Sequence, residues 1–351
     1  MSSRSRILLG QHHAPQWDDF VADFQAIVNR SYYANNGPLV RELDARFGRE
    51  HGGMESVAMA NATVATMGAA RAAQMGEFVA VPATASRALL QGLALGLRQV
   101  VLLDVDETGE NISVEALAAE DRPLGAVCVV CCPHASPPAA LLAAARARGG
   151  LLVMDASRGL ACDTILQPAA DITIFDFSDE RIIGAGQGAI VTTRHAETAD
   201  RLRDVRSFHA SCAASRVRPR INGKMAEAPA ALILRGLAEL NWRVGHNQAL
   251  RLRYATELPA GLQLCNLSPK SSAAEVWVEL GPKVDRSAEE LSVRLAELGI
   301  ESGLLPDPQH QLARLGSHSA TPANARFGQV ERLRKRRLQL PIGGRMGPAE
   351  V

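Results

Sequence analysis

Apolar positions along the first two thirds of the chain switch repeatedly between two periods, short unbroken runs and recurrences every three or four residues. That alternation is the pattern of an α/β domain. Trp17, Phe20, Val21, Phe24, Ile27 and Val28 recur at helical spacing, and after the turn-forming Tyr33-Ala-Asn-Asn-Gly37-Pro38 the stretch Leu39–Phe47 reads as a second helix. Strands are then predicted over Ser56–Ala60, Phe78–Pro82, Val100–Asp104, Ala126–Cys131, Leu151–Asp155, Ile172–Phe177 and Ala189–Thr193. Helices are predicted between them over Thr63–Gln74, Ala88–Leu97, Val114–Ala119 and Pro138–Arg148. A long helical pattern opens at Glu227 and runs toward Leu258. Beyond it, Glu275–Leu280 reads as a strand and Ala288–Leu298 as a helix. We therefore expect a large α/β domain over residues 1–240, with a mostly parallel central sheet, and a small α+β domain over residues 241–351.

Composition narrows the function classes. A net charge of +1 offers no electrostatic case for nucleic acid or a membrane surface. The apolar runs are too short for a bilayer span or a secretory signal, so the expected location is cytoplasmic. The six cysteines form no disulfide framework. Cys128 and Cys131 have a metal-like spacing, but residues three apart on a strand face opposite sides, so both are read as core thiols. His12, His13 and His134 have no ligand spacing and are read as surface residues. Gly184, Gly186 and Gly188 precede a strand rather than a helix, which excludes a dinucleotide loop. The basic run Arg332–Arg337 is read as the solvated face of a helix packed through Val330, Leu333 and Leu338.

The segment Ile174-Phe-Asp-Phe-Ser-Asp-Glu-Arg181-Ile-Ile-Gly-Ala-Gly-Gln-Gly-Ala-Ile-Val-Thr-Thr193 resembles the cofactor-lysine segment of the DegT/StrS-type sugar aminotransferases, F-S-F-H-x-x-K-x-x-x-x-G-E-G-G-A-V-V-T. Further matches follow in the same order. Tyr33–Leu43 is similar to the family's opening Y-x-x-x-G-P segment, Ala60-Asn-Ala-Thr63 to its phosphate loop, and Asp104-Val-Asp106 to its D-V-D segment. Asp155-Ala-Ser-Arg158 resembles D-A-A-Q, and Asn222-Gly-Lys224-Met-Ala-Glu227 resembles N-Y-R/K-M-x-E. The resemblance implies an aspartate-aminotransferase-like fold (fold type I) and a role in amino-sugar, aminocyclitol or antibiotic biosynthesis. It also implies a pyridoxal phosphate pocket in which Ala62 and Thr63 hold the phosphate and Asp155 faces the pyridine nitrogen. Asn222 and Lys224 would reach the pocket from a partner subunit, which implies a dimer.

The departures from the family pattern fall on that same pocket. Arg181 replaces the Schiff-base lysine, and a guanidinium does not deprotonate to a nucleophile. The chain has four lysines in all, Lys224, Lys270, Lys283 and Lys335, each downstream of that segment. Asp176 replaces the serine that bonds the cofactor phosphate, Ser86 the aromatic that stacks on the ring, Arg158 the glutamine and Ser178 the histidine. A bare carboxylate beside a phosphate is repulsive by several kcal/mol, to order of magnitude. These changes predict a pocket without a cofactor or a metal, filled by an Asp176–Arg158 or Asp176–Arg181 ion pair. Three readings remain open. The chain is an accessory, non-transaminating subunit, as homodimer or heterodimer with an active paralogue. It is an enzyme using Asp155, Asp176, Arg158 or Arg181 in lysine-independent chemistry. Or it binds a sugar-type small molecule without turnover.

Overall fold

The computed structural model describes residues 6–10, 17–133, 136–148, 150–161, 170–207, 220–265, 272 and 274–351. His12, His13, His134, Cys162, Cys212 and Lys270 lie outside the described residues. The chain opens with two helices, α1 (Trp17–Asn29) and α2 (Pro38–Glu50). It then alternates through β1 (Glu55–Met59), α3 (Ala62–Ala72), β2 (Phe78–Pro82), α4 (Arg87–Leu95) and β3 (Gln99–Leu103). Next come α5 (Val114–Ala118), β4 (Leu124–Val130), α6 (Ala139–Ala147), β5 (Leu151–Asp155), β6 (Ile172–Asp176), β7 (Ala189–Thr193) and α7 (Ala196–Val205). The remainder comprises α8 (Glu227–Ala238), α9 (Leu240–Glu257), β8 (Leu262–Leu264), β9 (Val276–Leu280), α10 (Ala288–Glu297), α11 (Pro308–Leu315), α12 (Gly328–Arg336) and β10 (Arg337–Leu340).

Seven strands form one sheet in the order β1-β7-β6-β5-β4-β2-β3. It is mostly parallel, as the alternating pattern predicts. β7 is the exception and runs antiparallel to both its neighbours, β1 and β6. Since β1 and β6 both oppose β7, they point the same way, and their carboxyl ends share one edge of the sheet. Helices cover both faces, which is why these strands read as continuous apolar runs. One face packs against α3, α4 and α7, with Val57, Val79, Val81, Leu102 and Val153 in the core. The other packs against α2, α6 and α8 around Phe47, Val127, Val129, Phe175 and Ile233. Cys128 joins the first core and Cys131 the second, as the strand period requires.

Two buried carboxylates tie distant helices to this frame. Glu227, fully buried at the start of α8, accepts hydrogen bonds from the Leu39 and Val40 amides, which α2 cannot satisfy internally. Gly37 is required there, because a Cβ would sit 2.5 Å from the Glu227 carboxyl carbon. Asp104, at the end of β3, accepts from the amides of Gln329 and Val330 and so caps α12. The Glu and Asp of two family-like motifs thus hold the architecture together.

The second sheet is antiparallel, in the order β10-β9-β8. Val276, Val278 and Leu280 point inward on β9, alternating with Trp277 and Glu279. Leu312, Leu315, Phe327, Val330 and Leu333, from α11 and α12, join the core against β2 and β3. The basic run behaves as predicted up to Arg336; the chain then turns into β10, so Leu338 is buried from a strand. The long helical pattern from Glu227 breaks at Glu239 into α8 and α9. Helix α7 went unpredicted, since its buried Ala199, Leu202 and Val205 are short and sparse among charges.

Candidate active site at the carboxyl edge of the sheet

The shared edge where β1, β4, β5 and β6 end is where an open α/β sheet positions ligand groups. Asp155 ends β5 there and is 7% exposed. Its carboxylate accepts from the Ser157 amide at 3.0 Å and the Ser86 hydroxyl at 3.3 Å. Both donors are neutral. Ser86 is held in turn because it N-caps α4, accepting from the Leu89 amide.

Helix α3 begins where β1 leaves the sheet. The Asn61 side chain caps it by accepting from the Val64 amide at 3.0 Å. The Ala62 and Thr63 amides have no intrahelical acceptor and lie at the positive end of the helix dipole, a geometry suited to a phosphate. The segment carrying Asn222 and Lys224 lies alongside. Gly223 accepts from the Ala60 amide at 2.8 Å, and Lys224 bridges to Met59. Asn222 itself is exposed.

Asp176 ends β6 and carries the densest set of contacts. Its Oδ2 accepts from Arg181 Nε at 2.9 Å and the Ser178 hydroxyl at 2.7 Å, and its Oδ1 accepts from the Ser178 amide at 3.0 Å. Of the two ion pairs expected for Asp176, the structure forms the one with Arg181. Arg158 turns away from it and engages Glu110 and, at 3.0 Å, Glu275. Glu275 closes the chain of charges, lying 3.9 Å from Arg181 Nη1 and accepting from the Trp277 indole at 3.0 Å. Burial by itself would raise the Glu275 pKa, yet the two guanidiniums hold it below the ordinary carboxylate value. Burial would likewise lower Arg181, but Asp176 and Glu275 raise it. Glu110 and Glu275 escaped sequence reasoning. They lie 48 and 117 residues from Arg158, and no local spacing marks them.

This geometry bears on what the pocket can hold. Arg181 offers charge and hydrogen bonds but no lone pair, so it neither bonds covalently to an aldehyde nor accepts a proton. Asp155, buried with two neutral donors, suits a protonated ring nitrogen. The amino end of α3 suits the phosphate. The repulsion expected from Asp176 is reduced, because Arg181 and two Ser178 donors already satisfy its charge. A pyridoxal-type phosphate held without a covalent bond fits these residues.

The structure is similar to DesI crystallised in the presence of its TDP-sugar product, with a TM-score of 0.89 and 24% identity over 99% of this chain and 90% of that one. It is also similar to a DegT DnrJ EryC1 StrS aminotransferase from Brucella abortus, with a TM-score of 0.81 and 25% identity over 95% and 92% of the two chains. NtdA from Bacillus subtilis, solved with bound cofactor PMP, matches with a TM-score of 0.82 and 17% identity over 97% and 82%. No curated protein sequence matches. The PMP-bound neighbour overturns the expectation of a pocket without a cofactor. That expectation took the lost lysine, phosphate serine and ring-stacking aromatic together as the loss of the site, whereas Asp155 and the amino end of α3 are still in place at the sheet edge. The model of the DegT/DnrJ/EryC1/StrS aminotransferase family matches residues 16–351, and the chain belongs to that family.

Proposed function

We propose that this chain binds pyridoxamine or pyridoxal phosphate non-covalently and serves amine transfer to a sugar-type substrate without a lysine-linked cofactor. The observation that supports this most directly is the division of the site into two halves. Asp155 and the α3 amino end keep free capacity toward a ligand, while Arg181 is committed to Asp176 and Glu275.

When bound, the cofactor supplies an amino group and an electron-withdrawing ring. Asp155 holds the proton at the ring nitrogen. Ser86 and the Ser157 amide fix the orientation of that carboxylate. The Ala62 and Thr63 amides fix the phosphate. Arg181, paired with Asp176 and Glu275, leaves the proton-shuttling role of a lysine unfilled. The sugar reading rests on the family and on neighbours such as DesI with its TDP-sugar product.

The unfilled role also favours an accessory-subunit reading, in which the chain works in a dimer and lends residues to an active paralogue. The exposed Asn222, on a segment clamped through Gly223, supports that reading. Titration of purified protein with pyridoxamine phosphate, followed by ring fluorescence, tests the main proposal. Saturable binding that is lost on dialysis and weakened at least about tenfold by Asp155→Asn supports it. Absence of binding, or a cofactor fixed to a lysine by borohydride, overturns it. Co-purification with an active family member tests the accessory arrangement.

A further inference from the structure

A second polar cleft, of about 410 Å3, lies between α2, the turn that follows it, the start of β1 and the end of α7. It meets β1 at Glu55 and Ser56, the strand's amino end, whereas the candidate active site lies beyond the carboxyl end at Asn61. Four arginines line it, Arg41, Arg49, Arg203 and Arg206, against two carboxylates, Asp44 and Glu55. That excess of positive charge is concentrated in a chain whose net charge is +1.

The arginines differ in how far they are committed. Arg203 pairs with Glu55 and Asp200. Arg206 is 5% exposed and donates to the Ala58 carbonyl and, at 2.9 Å, to Asn36. Its approach to Asp44, 3.7 Å, is longer than a hydrogen bond. Arg41 donates through Nη1 to the Asn36 carbonyl at 2.7 Å. Arg49, in the last turn of α2, is exposed. Ser56 contributes to the remaining wall and is 4% exposed.

We propose that this cleft binds a small molecule carrying a phosphate or diphosphate. Guanidinium forks match phosphate oxygens in a bidentate manner. Arg49 and Arg41 form the accessible rim, and Arg206 supplies charge from the floor. The site is independent of the family's cofactor pocket and of the function proposed above.

Calorimetric titration with inorganic pyrophosphate at low ionic strength tests this. One saturable site is expected, with Arg49→Ala and Arg41→Ala each lowering affinity about tenfold, the size of one charged hydrogen bond. Circular dichroism checks that both variants fold, and Arg326→Ala, an exposed arginine outside the cleft, serves as the charge control. The proposal is overturned if no saturable binding is seen, or if Arg326→Ala weakens binding as much as the cleft variants. It is also overturned if affinity is unchanged in both cleft variants and pyridoxamine phosphate competes, since that outcome assigns the anion to the α3 amino end.

Discussion

Arg181 donates its Nε–H to Asp176 Oδ2 at 2.9 Å, across five residues that end β6 and begin the turn after it. Two substitutions in the family pattern, lysine to arginine and serine to aspartate, therefore compensate one another in space. Each is unfavourable alone: the arginine would be a buried unpaired cation, and the aspartate a carboxylate facing a phosphate. Paired, they form a neutral unit at the end of β6.

That pairing determines what Arg181→Lys should do. A lysine at that position would still face Asp176 and Glu275, and two carboxylates hold an ammonium in its protonated form. We expect the single variant to show no covalent pyridoxal phosphate linkage and no measurable transamination. Adding Asp176→Ser removes one of the two charges and should allow a borohydride-fixable linkage to appear. If the single variant links the cofactor and turns over as well as the double, the pairing does not control this position.

Glu275 is the hub that joins Arg158 and Arg181 from the position just before β9. Its removal leaves two partly buried guanidiniums with one carboxylate each, Glu110 for Arg158 and Asp176 for Arg181. Glu275→Gln should cost roughly 1–2 kcal/mol, between an exposed pair and a buried one left uncompensated. Glu50→Gln, which breaks the more exposed pair with Arg46, should cost under about 0.5 kcal/mol. Urea denaturation of the two variants measures the difference. Equal midpoints would show that the network carries no stability.

Two carboxylates should shape stability in opposite directions with pH. Burial pushes Asp44 up to about 6, against the Arg206 and Arg203 charges and the Ala58 amide that lower it. A raised folded-state value means that the folded chain binds the proton more tightly. That stabilisation is complete below the unfolded aspartate value and is lost as pH rises through about 6. Glu275, held low by its arginines, behaves in the opposite sense: its contribution is present above the unfolded glutamate value and is lost as pH falls through the lowered one. Melting curves across this range should show Asp44→Asn removing the decline toward neutral pH, and Glu275→Gln removing part of the decline in acid. A pH profile unchanged by Asp44→Asn would contradict the first assignment.

Gly92 connects core packing to the pocket. A Cβ on this α4 residue would lie 2.4 Å from the Thr66 Cβ and 2.7 Å from the Thr63 carbonyl, so α3 must shift to admit it. Gly92→Ala should destabilise the fold by about 1–3 kcal/mol despite the better helix former. It should also weaken pyridoxamine phosphate binding, because Thr63 opens the helix that presents the phosphate amides. Unchanged affinity in a folded variant would separate that helix from the site.

The periodicity of this chain was enough to place most strands and helices of the large sheet, because both faces are covered and each strand is a continuous apolar run. Motif order was enough to bring Asp155, Asp176, Ser86 and the Ala62–Thr63 loop to one edge, since strand ends are local features and the sheet aligns them. The sequence also showed that the lysine is gone. It did not show what the replacement means. Sequence left Asp176 with two alternative partners, Arg158 and Arg181, and the lost lysine, phosphate serine and ring stacker predicted a pocket without a cofactor. The tertiary structure decided the pairing: Arg181 turned to Asp176, while Arg158 turned to Glu110 and to Glu275. Those acids come from elements with no local relation to the motif. An ion pair forms by distance and burial, which depend on chain crossings that a local spacing does not encode.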